Sequence, residues 1–122
     1  VFHVADSILT SVKKLLGIDE SYTAFDPDIL MHINTAFGTL NQLGIGPTDG
    51  FEIEDDTPTW DDFQTDVRMN GVKTYVVLRV RLLFDPPTTS YAIEAMKNQV
   101  QELEWRLNVV REGDSWTPPV SV

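Results

Sequence analysis

Apolar residues recur along this chain in blocks, and the spacing within each block predicts a secondary structure. The longest block runs from Ser90 to Arg111, where Ile93, Met96, Val100, Leu103, Leu107 and Val110 alternate at steps of three and four. Such a repeat places one continuous seam along a helix of about 30 Å. Polar residues, among them Glu94, Lys97, Asn98, Gln101, Glu104 and Asn108, take most of the remaining face. Upstream, Arg81-Leu82-Leu83-Phe84 ends at Asp85-Pro86-Pro87, a stiff elbow, because proline restricts itself and the residue before it. The rest of the chain is expected to pack on the two long elements that meet there. Thr88, Thr89 or Ser90 caps the second of them, and Gly113 is expected to close it.

Earlier blocks read in the same way. Ile8, Leu9, Val12, Leu15 and Leu16 predict a short helix capped by Asp6 or Ser7 and ended by Gly17. Lys13 and Lys14 near its C-terminal end are expected to be surface charges favoured by the helix dipole. Asp26-Pro27 predicts a second helix, with the acid as N-cap and proline in the first turn. Ile29, Ile33, Phe37, Leu40 and Leu43 carry its repeat to Gly44-Ile45-Gly46-Pro47, while Leu30 and Met31 widen the apolar face toward a second burial surface or a subunit contact. Val72 to Phe84 is ambiguous: Tyr75, Val76, Val77 and Val80 favour strand, but Val72, Val76 and Leu83, and Tyr75, Leu78 and Leu82, keep helical spacing. No second strong strand exists to pair with it, so helix is the reading adopted.

Between these blocks the chain changes character. Eight of its nineteen acids lie between Pro47 and Asp66, and no lysine or arginine answers them from Pro47 to Asp66. Phe51 and Ile53 alternate with Glu52 and Glu54, as in a short β-arm, and Thr59 followed by Asp62 resembles a capping box opening a helical turn that carries Trp60 and Phe63. The expected fold is therefore mainly α: a small bundle of about four helices over residues 1–113, interrupted by an acidic loop or short β-arm. Residues 114–122, with Trp116, Pro118, Pro119 and Val120, read as an extended C-terminal arm.

Charge and composition narrow the function. A formal net charge of -10 argues against a phosphate-gripping basic surface. Without cysteine there is neither a disulfide framework nor a thiolate metal site. No apolar run is long enough to span a bilayer, and the opening residues lack the features of a leader, so a soluble, unexported chain is expected. Catalytic resources are thin: His32 stands four residues after Asp28, which suggests a surface ion pair, and the acids do not follow a calcium-loop ladder. The expectation is that surfaces, not chemistry, carry the function. Trp116 on its proline-bearing arm is a candidate docking anchor or folds back on its own domain, and Trp105, off the seam, is a candidate contact to a neighbour.

Several short stretches, in order, resemble one family. They are Leu15-Leu16-Gly17-Ile18, Ile33-Asn34-Thr35-Ala36, Gln42-Leu43-Gly44-Ile45-Gly46, Lys73-Thr74-Tyr75-Val76, Val80-Arg81-Leu82-Leu83-Phe84-Asp85-Pro86-Pro87-Thr88 and Glu102-Leu103-Glu104-Trp105-Arg106-Leu107-Asn108. As a set, spread from Leu9 to Asn108, they resemble the head-to-tail connector (adaptor) proteins of long-tailed bacteriophages. That resemblance implies a structural virion protein at the head–tail interface, made in the host cytoplasm, with no catalytic site, cofactor or bound metal. It further implies a dodecameric ring below the portal protein that extends the DNA channel, lets genomic DNA pass without specific binding, and docks the next neck or tail component. On this reading Trp116, Pro118, Pro119 and Val120 are portal-docking candidates, and Glu52, Glu54, Asp55 and Asp56 line the channel or meet a neighbouring subunit. A small acidic protein-interaction module that mimics DNA is the alternative from a different class.

Overall fold

The structure, a computed structural model, describes residues 7–63 and 71–115, with the side chains of the last helix described as far as Arg111. Among these residues the chain forms five helices: α1 (Ile8–Leu15), α2 (Asp26–Gln42), the single turn α3 (Trp60–Phe63), α4 (Gly71–Phe84) and α5 (Ser90–Ser115). There is no strand among them. The one β pairing described is an isolated antiparallel bridge between Ser7 and Thr59. The mainly helical expectation is met.

Local chemistry sets the ends of these helices. Ser7 caps α1 by accepting from the Thr10 amide at 3.3 Å. The first two helices then stop in the same way, at Leu16-Gly17-Ile18 and Leu43-Gly44-Ile45. In each, the glycine takes a positive φ, +80° and +81°. Its amide and that of the following isoleucine reach back to carbonyls of the last turn: Gly17 to Lys14, Ile18 to Lys13, Gly44 to Asn41, Ile45 to Leu40. This is the double bond of a Schellman cap, which a residue with a Cβ closes only under strain. At the elbow, Thr89 is the residue that caps α5, accepting from the Ala92 amide at 3.2 Å. Gly113 does not close that helix, which continues to Ser115.

Lys13 departs most from its sequence reading. It is only 2% exposed, and its Nζ donates to the Glu20 carbonyl at 3.0 Å and the Tyr22 carbonyl at 2.7 Å while pairing with Asp26 at 2.9 Å. An ammonium taken out of water needs this full set of partners. The carboxylate of Asp26 is thereby turned onto Lys13, and it is Phe25 that stands at the N-cap of α2, without a side-chain cap. Leu15, expected on the buried face of α1, is exposed, as is Met31 on α2 at 58%. His32 makes no ion pair with Asp28 among the described residues; an exposed pair of that kind gains too little to fix two side chains.

The centre of the bundle is α4, not α5. It packs along α2 on one side and α5 on another, with α1 also in contact. Val72, Tyr75, Val76 and Val80 are buried, and Val77, Leu78 and Leu82 pack partly against the same core. A helix covered from several directions needs apolar residues nearly all round, which is why its sequence has no single period. Along the seam of α5, Val100 and Leu107 are buried, while Ile93, Met96, Leu103 and Val110 are half-buried.

The stretch between α2 and α3 is folded onto the bundle by side chains. Phe51 and Ile53 turn inward and Glu52 and Glu54 outward, as alternation predicts, but the partner of Ile53 is an amide side chain. Asn34 donates to the Ile53 carbonyl at 2.9 Å and accepts from its amide at 2.8 Å. Phe51 and Phe63 then meet Phe37 of α2 edge-on or tilted, with centroids 5.1 and 4.7 Å from its ring. The Gly46 turn runs so close that a Cβ there would collide with the Phe63 ring. Asp62 accepts from the Thr59 amide at 2.8 Å, the expected half of a capping box, and Trp60 donates to Ser11 of α1.

Two outcomes test these contacts. Lys13→Met should lower the free energy of unfolding in urea by about 3 kcal/mol, because the Asp26 carboxylate and two carbonyls lose their shared donor. Tyr75 supplies a pH test: burial pushes its phenol up to about 12, and although Thr39 and Glu104 lie near, neither is aligned as a hydrogen-bond partner. A tyrosine in the unfolded chain titrates at about 10, so this contribution is intact below that pH and is lost as pH rises toward the folded value. Tyr75→Phe should therefore unfold within about 1 kcal/mol of the parent at pH 7 and surpass it at pH 11.5, measured by thermal or urea denaturation.

Candidate functional site

Three surfaces remain after the core is assigned. The first is the acidic loop. Glu52, Glu54, Asp55 and Asp56 are all exposed, on a backbone held in place by the Asn34 clamp. Asp55 also orders its own turn, accepting from the Thr57 hydroxyl at 2.6 Å and the Thr57 amide at 3.0 Å. These two bonds hold its carboxyl below the usual carboxylate range. Glu52, Glu54 and Asp56 have no partner among the described residues, so their charge faces outward.

The second surface is a groove between α4 and α5. Leu82, Leu83, Ile93 and Val100 form its apolar floor and walls, and Arg79, Lys97 and Glu104 stand along it. Arg79 lies over the Tyr75 ring and donates to the Thr39 hydroxyl at 3.4 Å. Lys97 has no acidic partner among the described residues. Of the residues that make this groove, Ile93 and Val100 were singled out from the sequence as part of the α5 seam, but Arg79, Leu82, Leu83 and Lys97 were not singled out as a site. The available signal was that Arg79 and Lys97 sit on the polar edges of two helices in a strongly acidic chain.

The third is the outer side of α5 and its surroundings. Trp105 is 66% exposed, with Val109 beside it, and together with Gly71 and Leu103 they line a shallow apolar pocket. Tyr91, at the start of the helix, is 85% exposed. At the far end of the bundle Tyr22, Phe25 and Phe84 stack edge to face, with centroids 5.5 and 5.2 Å apart, and Tyr22 and Phe25 stay open to solvent. Single exposed apolar residues are ordinary; exposed apolar side chains adjoin one another at the Trp105–Val109 pocket and at the Tyr22–Phe25 pair.

Among the described residues no cluster of histidines and acids is placed to hold a metal ion. Among the described residues the one strongly shifted titratable group, Tyr75, is shut inside the core. No helix of the described residues is long and apolar enough to cross a membrane. The residues Trp116, Pro118, Pro119 and Val120 lie outside the described residues. Glu52, Glu54, Asp55 and Asp56 are brought together on one loop; of the α5 seam residues, Val100 and Leu107 are in the core, Leu103 and Val110 pack against it, and Ile93 and Met96 are half-buried.

No curated protein and no solved structure is similar enough to this chain to count as a match. A family model does match, over residues 8–114, and its description is "Phage connector protein". The match takes in all of the described helices except the last residue of α5, including the ordered stretches that carry the resemblance. The chain belongs to the phage connector protein family, the head-to-tail connectors of bacteriophages.

Proposed function

We propose that this chain forms a ring below the portal of a bacteriophage head, extends the DNA channel there and docks the next neck or tail component. The observation that carries this reading is the family match over residues 8–114. Two physical features support it. A helix of 26 residues that buries only part of its seam, and leaves Trp105, Val109 and Tyr91 open, has apolar surface to spend on neighbours. A chain of net charge -10 gives a DNA channel few basic side chains to hold the phosphates as the duplex slides. Genomic DNA is thus a passing occupant and not a bound ligand. The ring is dodecameric, assembled from chains made in the host cytoplasm, and needs no cofactor.

Within that assembly the C-terminal segment is the portal-docking element, with Trp116 as an aromatic anchor and Pro118, Pro119 and Val120 as a stiff extended flank.

Light scattering and negative-stain imaging of the purified chain, alone and with portal-bearing particles, test the reading. Ring-sized species or a new collar on the particles are the expected result. A persistent monomer that leaves the particles bare would overturn it and favour a small acidic interaction module. Deleting residues 116–122 should weaken portal docking at least tenfold while leaving the urea midpoint within error of the parent; unchanged docking would remove the C-terminal segment from the interface.

A further inference from the structure

We propose that the acidic loop of one copy of this chain seats in the α4–α5 groove of the next copy. The inference rests on the connector reading, since it names the surfaces by which copies meet. The groove combines an apolar floor, Leu82, Leu83 and Ile93, with the cations Arg79 and Lys97. Neither cation is ion-paired with Glu104, the acid that also lines the groove, among the described residues. Such a surface fits a segment that brings exposed carboxylates up to the two cations at its edges. The chain carries one: residues 49–62 hold seven acids and no lysine or arginine, and while Phe51, Ile53 and Trp60 pack on the chain's own core, Glu52, Glu54, Asp55 and Asp56 stay exposed.

The chain's own loop does not fill its own groove. It is clamped to α2 by the two hydrogen bonds between Asn34 and Ile53, and the surface it shares with α2 has no lining residue in common with the groove. Because the backbone of the loop is already fixed, seating it costs little ordering entropy. Charge supplies the direction of the contact. Copies of net charge -10 repel when their acidic loops face one another, whereas loop against groove sets exposed carboxylates on two cations that have no acidic partner among the described residues. A contact between two different patches of the same chain is heterologous, so it propagates head to tail and closes as a ring when the rotation allows.

The absence of cysteine makes a clean cross-linking test possible. In the full chain, Asp56→Cys combined with Gln101→Cys, on the loop and on the groove wall, should give a ladder of covalent multimers under mild oxidation. Each single variant should give no ladder. A charge test runs beside it, by sedimentation of the unlinked protein. Glu54→Lys with Asp56→Lys, and separately Lys97→Glu, should each weaken self-association at least tenfold, and mixing the two proteins should restore it. If the parent assembles while the ladder is absent and the reversals change nothing, the groove has another occupant and the inference falls, with the connector reading intact. A parent chain that stays monomeric with and without portal-bearing particles would overturn both.

Discussion

Lys13 takes its ammonium out of water at the end of α1, and the chain around it is arranged to answer that charge. The carbonyls of Glu20 and Tyr22 close the loop over it, and the carboxylate of Asp26 fixes where α2 begins. Three consecutive segments are thus held to one atom. With α1 and α2 related in this way, Ile8, Leu9 and Val12 from one and Ile29, Ile33, Phe37 and Leu40 from the other present a joint apolar surface on which α4 packs. A buried pair of this kind is poor evidence for stability as such, since burying the ions is itself costly. Its effect is positional: other arrangements of the same helices would leave the ammonium unanswered.

How much of this was legible in the residues varies from element to element. The stops of α1 and α2 were plain, because Leu-Gly-Ile is a local signal and the bonds it makes are local. The elbow before α5 and the Thr59 cap were readable for the same reason. Lys13 was not, since a lysine near a helix end is ordinarily a surface charge, and only the fold brings two distant carbonyls and an aspartate to it. The central role of α4 was hidden by burial on several sides, which erases the periodicity that makes α5 conspicuous. Asn34 was invisible as a structural residue: nothing in a lone asparagine on a helix says that it will stand in for a neighbouring strand.

The candidate surfaces show the same division. The acids from Asp49 to Asp62 stood out as a run in the sequence, and the structure puts Glu52, Glu54, Asp55 and Asp56 together in the open. The groove needs two helices to come together before it exists, so neither Arg79 nor Lys97 announced it. The acidic excess was read from composition as a reason for poor binding to DNA. Its distribution says more: negative charge is gathered on one loop, while part of the small positive complement lies between α4 and α5.

The Asn34 clamp has a consequence for how such a loop can vary. Both backbone groups of Ile53 are satisfied by a side chain of α2, and the loop is otherwise tied by the Phe51 ring on Phe37 and by the Ile8 amide on the Pro58 carbonyl, at separate points and not along a ladder. A strand in a sheet cannot gain or lose one residue without turning its side chains over. Here residues added before Phe51 or after Glu54 leave the mooring in place, and the helices need not move. The length and charge of the exposed part of the loop can therefore change while the bundle beneath stays as it is.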